Sequence, residues 1–297
     1  GDVTVNGNVD LAVRGTAVRT DAYQADGDVP AYDLGTISLL GNSIRIDTPY
    51  REENFVEGFG KFIEPYYALA SYGGTINVNV KNQEAQNGKV EMVGNVLAMK
   101  SSDEAVKAMV YQNGRLNIGL TTQDSSWKGV IDNAGTAKAG EVNLWLQNGA
   151  TWTNEQQGTL ANVYQGEKFT GSHVAKLTGG ATAEAAGNIY QKESGALTID
   201  NYSGNTNIFY EHTGDGVTFN AGDTIIKHAE KDSVVNLITS SKGLSINAET
   251  INDTLSALAG KLTYTNYKDG ERNLDGKVKI AGGLTSDSLT VAAGDIL

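Results

Sequence analysis

Few residues in this chain are equipped for chemistry. His173, His212 and His228 are its three imidazoles, and no serine sits in a Gly-x-Ser-x-Gly or Gly-Asp-Ser-Gly setting that an imidazole would activate. The phrase Asp124-Ser125-Ser126-Trp127 reads as a polar corner between two strands. His212 and His228 flank a strand-turn-strand unit and could share a metal with Glu211 and Glu230; surface histidines satisfied by water are the competing reading. Calcium-binding nonapeptides of the Gly-Gly-x-Gly-x-Asp type do not occur, and Asp26-Gly27-Asp28 is too short for an EF-hand loop. Asp200, on a run Ile199-Asp200-Asn201, has no carboxylate partner two residues away, which argues against the paired acids of glycan cleavage. There is no phosphate-cradling Gly-x-x-x-x-Gly-Lys-Ser/Thr. With no cysteine at all, disulfides, thiolate metal sites and cysteine nucleophiles are excluded. The expectation is a protein without catalytic residues, metal or cofactor.

The residues that do stand out are aromatic. The segment 47–72 concentrates Tyr50, Phe55, Phe59, Phe62, Tyr66, Tyr67 and Tyr72. Aromatics projecting from a scaffold give rigid amphipathic contact area for protein or sugar recognition, which makes these seven the candidate ligand-binding residues. Alternatively Phe55, Phe59 and Phe62, at helical spacing, form the small core of an insertion packed on the scaffold's flank. The two readings coexist if Tyr66 and Tyr67 face outward. Trp127, Trp145 and Trp152 are expected to stack inside rather than lie exposed.

The scaffold itself is legible in the turns and the apolar pattern. Glycine is abundant at 36 and proline scarce at 3, the chemistry of many short strands and tight corners. Apolar residues come in brief alternating runs, as in strands with one buried face. One unit recurs: Gly35-Thr36-Ile37-Ser38-Leu39, Gly74-Thr75-Ile76-Asn77-Val78, Gly114-Arg115-Leu116-Asn117-Ile118, Gly140-Glu141-Val142-Asn143-Leu144 and Gly195-Ala196-Leu197-Thr198-Ile199. Its irregular spacing fits coils of roughly 20–25 residues with insertions better than blades of fixed length. About 11 to 13 such coils would stack into a rod on the order of 50–60 Å long at the inter-strand spacing of parallel sheets. Pro30, Pro49 and Pro65 mark excursions at about 21–33 and 47–72. Residues 102–111 read either as a short helix or as a corner and a buried strand. Over 250–262, Ile251, Leu255, Leu258 and Leu262 share one helical face, predicting a short helix that covers an exposed end of the stack. The whole chain, 1–297, reads as one all-β domain whose helix and final coils fall at about 250–297.

Two groups of residues resemble a known family. Ser126-Trp127-Lys128-Gly129-Val130-Ile131-Asp132, then Gly140-Glu141-Val142-Asn143-Leu144-Trp145-Leu146-Gln147-Asn148-Gly149-Ala150-Thr151-Trp152, is similar to the passenger region of type Va autotransporters, where an Asn-Gly-Ala-x-Trp phrase follows a strand. The run Leu258-Ala259-Gly260-Lys261-Leu262-Thr263-Tyr264, with Gly270 to Ile280 and Gly283-Leu284-Thr285, resembles segments of large autotransporter adhesins. The likeness covers most of the chain from about residue 74 and implies a pertactin-like, right-handed, single-stranded parallel β-helix, with a signal peptide before it and an outer-membrane β-barrel after it. The region before residue 73 matches no passenger pattern, which makes it the expected seat of specificity.

The expected function is therefore attachment. The resemblance implies a passenger on the outer surface of a Gram-negative-type bacterium, binding a host or bacterial surface protein or glycan, or associating with itself in biofilm. A formal charge of −12 repels phosphate backbones, so nucleic acid is not an expected partner, and no apolar span long enough to insert in a membrane is present. The opening Gly1-Asp2-Val3, without methionine, suggests a piece of a longer precursor. A polysaccharide-acting β-helix enzyme and a non-binding stalk are the alternatives.

Overall fold

The computed structural model describes residues 1–20, 35–48, 54–56, 60–62, 66–99, 114–132, 140–158, 160, 169–210, 224–230, 233–239, 245–247, 261–268, 271–272, 279–281 and 289–291. The fold is all-β, with large parallel sheets and no helix among the described residues. All five glycine-led units fall in one place. Their strands Thr36–Leu39, Thr75–Val78, Arg115–Leu120, Glu141–Leu146 and Leu197–Ser203 belong to a single eight-stranded parallel sheet, completed by Val3–Val5, His173–Thr178 and Thr224–Ala229. A second sheet of eleven strands runs from Val9–Ala12 and Ser43–Asp47 through Lys89–Val93, Ser126–Lys128, Thr151–Asn154, Gly187–Gln191 and Asn205–Tyr210 to Val234–Thr239 and Lys261–Lys268. A third, of four strands, holds Val18–Thr20, Tyr67–Ser71, Asn95–Ala98 and Ile131–Asp132. Between consecutive strands of the first sheet the chain contributes one strand to the second and, as far as Asp132, one to the third.

Why these residues make sheets is visible in the register. Val142, Leu144 and Leu146 are buried while Glu141, Asn143 and Trp145 between them are not, the alternation that the period of two demands. Parallel in-register pairing then lays like over like. Leu39, Val78, Ile118, Leu144, Leu177 and Tyr202 form one inward column of the first sheet. Leu11, Ile46, Met92, Trp127, Trp152, Ile189 and Ile208 form a column of the second, and Val18, Leu69, Val96 and Ile131 one of the third. These columns meet in one continuous apolar core. At roughly 1.5–3 kcal/mol for each fully buried large aliphatic or aromatic side chain, the core is the principal source of cohesion in a chain with no cross-links.

The corner from the first sheet to the second is stapled by amides. Asn79, at φ 55°, donates Nδ2 to the carbonyls of Gln86, Gly88 and Gly119 and accepts from the Gly88 N–H. Asn148 Nδ2 donates to Thr121 O, Gln147 Nε2 to Gly179 O and Asn205 Nδ2 to Gly180 O. Each staple joins one crossing of the corner to its neighbour through a backbone carbonyl of the turn; at Gly180 it reinforces a backbone bond from Asn205 N–H to the same oxygen. The segments 21–34, 100–113, 133–139 and 211–223, which lie outside the described residues, each join a strand of the second or third sheet to the next strand of the first. The amide set inside the stack is equally closed: Ser172 Oγ donates to Asn154 Oδ1 and accepts from Ile131 N–H, and Asn154 Nδ2 donates to Gln191 Oε1, all three side chains being fully buried.

Several expectations require correction or fall outside the described residues. The excursion expected over 47–72 is shorter at both ends, because Asp47 closes the strand Ser43–Asp47 of the second sheet and Tyr67–Ser71 is a buried strand of the third. Phe55 and Phe62 are not on a helix: Asn54–Val56 and Gly60–Phe62 pair antiparallel, with Phe55 opposite Lys61 and Phe62 opposite Asn54. Gly58 and Gly60 weaken a helix there, by about 1 kcal/mol each, and suit a hairpin. The helix expected over 250–262 loses its last turn, since Leu262 lies in the strand Lys261–Lys268, opposite Val235 and Leu289. Alternating Leu262, Tyr264 and Thr265-Asn266-Tyr267 after Gly260 carry strand propensity that outweighs the helical spacing. The remainder of that helix, residues 102–111, Asp26-Gly27-Asp28 and the three prolines lie outside the described residues.

Candidate functional site

The seven aromatics of 47–72 are not gathered into one surface among the described residues. Tyr50 and Phe59 lie outside them, and Phe55 and Phe62 are placed only as register positions on the short antiparallel pair. Tyr67 is buried and donates its hydroxyl to Asp132 Oδ2 at 2.5 Å. Burial first, then the charge and hydrogen bond of Asp132, hold its phenol far above the ordinary tyrosine range. Tyr67 thus belongs to a satellite cluster with Ala70 and Leu97, against which Tyr72 and Met99 pack half-buried. Arg19 lies over the Tyr72 ring, 4.6 Å from its centroid, and Tyr66 is half-buried. The sequence could not show this, because Tyr67-Ala68-Leu69-Ala70-Ser71 is buried at every position and has no alternation to read.

The other singled-out residues are placed as follows. Ser125 lies buried in a corner, accepting from Val90 N–H and within 2.8 Å of Thr122 Oγ1, so the Asp124-Ser125 phrase is a turn. His173 Nε2 lies 2.8 Å from Asp200 Oδ2, and Lys227 Nζ lies 2.7 Å from Asp200 Oδ1. This cluster spans three adjacent strands on the outer face of the first sheet. Burial alone would raise the Asp200 carboxyl, but Lys227 and His173 outweigh it and hold the group below the ordinary carboxylate range. His228 stands opposite Asn201 in the same sheet, and His212 lies outside the described residues. No group of three or more His, Asp or Glu side chains suited to a metal occurs among the described residues.

What the sheets do assemble is a pair of ordered outer faces. On the first, Asn143 Nδ2 donates to Asn117 Oδ1 at 2.9 Å, Asn117 Nδ2 to Asn77 Oδ1 at 2.7 Å and Asn77 Nδ2 to Ser38 Oγ at 3.0 Å, an amide ladder across four strands in which Asn117 is itself buried and Asn77 and Asn143 are half-buried. Trp145, half-buried, stands two positions along from Asn143 on the same face. On the second sheet the outer face changes character along its length. Its early strands carry ion pairs: Arg45 with Asp10 at 2.8 Å and Asp47 at 2.9 Å, and Lys89 with Glu91 at 3.0 Å. Beyond the pair Lys128 and Glu155, 3.0 Å apart, the register positions are uncharged: Thr151, Asn188 and Asn207 in one column, Thr153, Tyr190 and Phe209 in the next. Asn207 Nδ2 donates to Asn188 Oδ1 at 3.0 Å. Tyr190 and Phe209 stack with centroids 4.7 Å apart and planes within 12°; both are half-exposed, Tyr190 between buried Ile189 and Gln191 and Phe209 next to buried Ile208.

This outward stack was missed in reading the sequence, although a signal existed. Asn188-Ile189-Tyr190-Gln191 and Asn207-Ile208-Phe209-Tyr210 repeat one phrase, amide out, isoleucine in, aromatic out. Gly187 leads the first copy, but Gln191 stands where a second alternating apolar residue would be, and Thr206 rather than glycine precedes the second copy, so neither shows the full glycine-led unit. Comparison with protein-family models, with curated proteins and with solved structures finds no match to this chain.

Proposed function

We propose that this chain winds as a right-handed parallel β-helix and serves as the adhesive passenger of a bacterial autotransporter, displayed at the cell surface, where it attaches the cell to surface proteins or glycans of hosts or other bacteria. The observation that carries the reading is the outer surface: in-register ladders of amides, hydroxyls and aromatic rings, repeated at the strand spacing on two large parallel sheets. A repeating surface of this kind suits many weak contacts that sum by multivalency. The winding is supported by the order in which the chain visits the three sheets and by the single core between them. At ~4.8 Å per strand, the two large sheets would extend along a rod several nanometres long. The passenger likeness is supported by Asn148-Gly149-Ala150 turning into Trp152, which stacks on Trp127.

The test is attachment. Beads coated with the chain should bind epithelial cells or bacteria, or clump with one another, above an albumin-coated control, and replacing residues 49–65 by a short Gly-Ser linker, which spares the strands on either side, should lower attachment without changing the unfolding midpoint. Beads that bind nothing would sink the reading, and turnover of a polysaccharide by the purified chain would replace it with an enzymatic one.

A further inference from the structure

The aromatic stack on the second sheet ends in a step. Phe209 covers one face of Tyr190, so the other face of the Tyr190 ring is turned toward the preceding strand. There the register partner is Thr153, a small side chain pointing outward between buried Trp152 and Asn154. One strand further on, Thr153 is partnered by Lys128, a long side chain tied to Glu155 at 3.0 Å. The three positions form a notch one strand wide: an aromatic face as one wall, a hydroxyl floor, and a compensated ammonium-carboxylate pair as the other wall. The neighbouring column supplies Thr151 and the Asn188 side chain at its edge, with Asn188 Nδ2 donating to Gly149 O and its Oδ1 taking the Asn207 proton.

The chemistry of these walls selects a class of ligand. A ring stacked on Tyr190 at the ~4.8 Å spacing kept by the strands themselves would lie directly over Thr153. Its lower edge would meet a hydroxyl that both donates and accepts, and its far side would meet a carboxylate acceptor and an ammonium donor. A pyranose has this complementarity: one flank of apolar C–H groups to lay on an aromatic face, and hydroxyls around its rim that pair with donors and acceptors alike. The ligand should be uncharged, because the Lys128 charge is already balanced by Glu155 and the chain as a whole carries −12, which repels sulfated or sialylated sugars.

We propose that the step at Thr153, walled by Tyr190 and by the Lys128 and Glu155 pair, is a subsite for one neutral pyranose ring of a surface glycan. This rests on the adhesive reading and gives it a place and a ligand class. The probes are neutral oligosaccharides ending in galactose, glucose or N-acetylglucosamine, with their sialylated and sulfated counterparts, presented as an array to the full chain and followed by calorimetric titration. The unaltered chain should retain neutral glycans in preference to charged ones. Thr153→Tyr, which fills the notch from an outward position and leaves the core untouched, should weaken binding by about tenfold or more, as should Tyr190→Ala, while Tyr190→Phe keeps most of it. Retention of no neutral glycan, a preference for the charged set, or full binding by Thr153→Tyr would each overturn the proposal. Attachment of coated beads, measured in parallel, separates the two levels. If Thr153→Tyr attaches as the unaltered chain does, the glycan subsite falls and the adhesive reading stands, whereas failure of the unaltered chain to attach removes the reading itself.

Discussion

Two aromatic stacks of nearly the same geometry sit on the same sheet and do opposite things. Trp127 and Trp152 lie 4.8 Å apart with planes within 2°, fully buried; Tyr190 and Phe209 lie 4.7 Å apart within 12°, half-exposed. Both follow from parallel register, which superposes whatever residues share a column. What separates them is parity: one position along the strand turns a ring from the core to solvent. The inner stack is also anchored. Trp127 Nε1 donates to Gly94 O and Trp152 Nε1 to Gly129 O, each at 2.9 Å, so a buried indole leaves no N–H unpaired. The outer pair has no such anchor among the described residues, and Phe209 covers only one face of Tyr190. Stacking is thus a by-product of the fold, and only its side of the sheet decides whether it fills the core or lies at the surface.

The comparison can be tested by substitutions that should differ in size. Trp152→Ala empties the core, removes the ring beneath Trp127 and leaves Gly129 O unpaired, and should cost about 3–5 kcal/mol, read as a large fall in the urea midpoint. Gly129→Ala attacks the same stack from the backbone: an added Cβ would come within 2.0 Å of Gly94 O and 2.8 Å of Trp127 Nε1. It should cost about 1–3 kcal/mol as overpacking, with altered tryptophan fluorescence. Phe209→Ala, at the outer stack, should cost no more than about 1 kcal/mol. A loss there as large as that of Trp152→Ala would break the distinction between the two stacks. The smallest effect belongs to the outward charge cluster. Asp200 has its carboxyl lowered in the folded chain, so its contribution is present above the unfolded value of about 3.8 and is lost as pH falls through the lower folded value. Asp200→Asn should slightly lower the unfolding midpoint at pH 7 and make progressively less difference as pH falls below about 3.8, and an effect of the opposite sign would refute the assignment.

How much of this was legible varies with the local rule. The first sheet could be read almost strand by strand because Gly, then alternating Ile, Val or Leu, states both the corner and the inward face. Its strand His173–Thr178 escaped because Val174 and Leu177 are the buried pair, an interval of three that interrupts alternation, matched by Ile199 and Tyr202 on the next strand. The third sheet was invisible for a different reason: Tyr67–Ser71 is covered on both faces, and its tyrosine, adjoining an aromatic-rich excursion, looks like surface material until Asp132 is found beneath its hydroxyl. The Tyr190 and Phe209 pair is the instructive omission, since the stack depends on which residues are superposed by the register, a relation between distant phrases rather than a property of either.

The amide staples at the first corner have a further consequence. Because Asn79, Gln147, Asn148 and Asn205 fasten successive crossings to one another through backbone carbonyls, the pitch of the molecule is fixed along one edge, as by the spine of a book. Length can then be added or removed at the opposite edge without disturbing the binding. A lineage could vary the connections there, away from the fastened edge, while the pages stay in order.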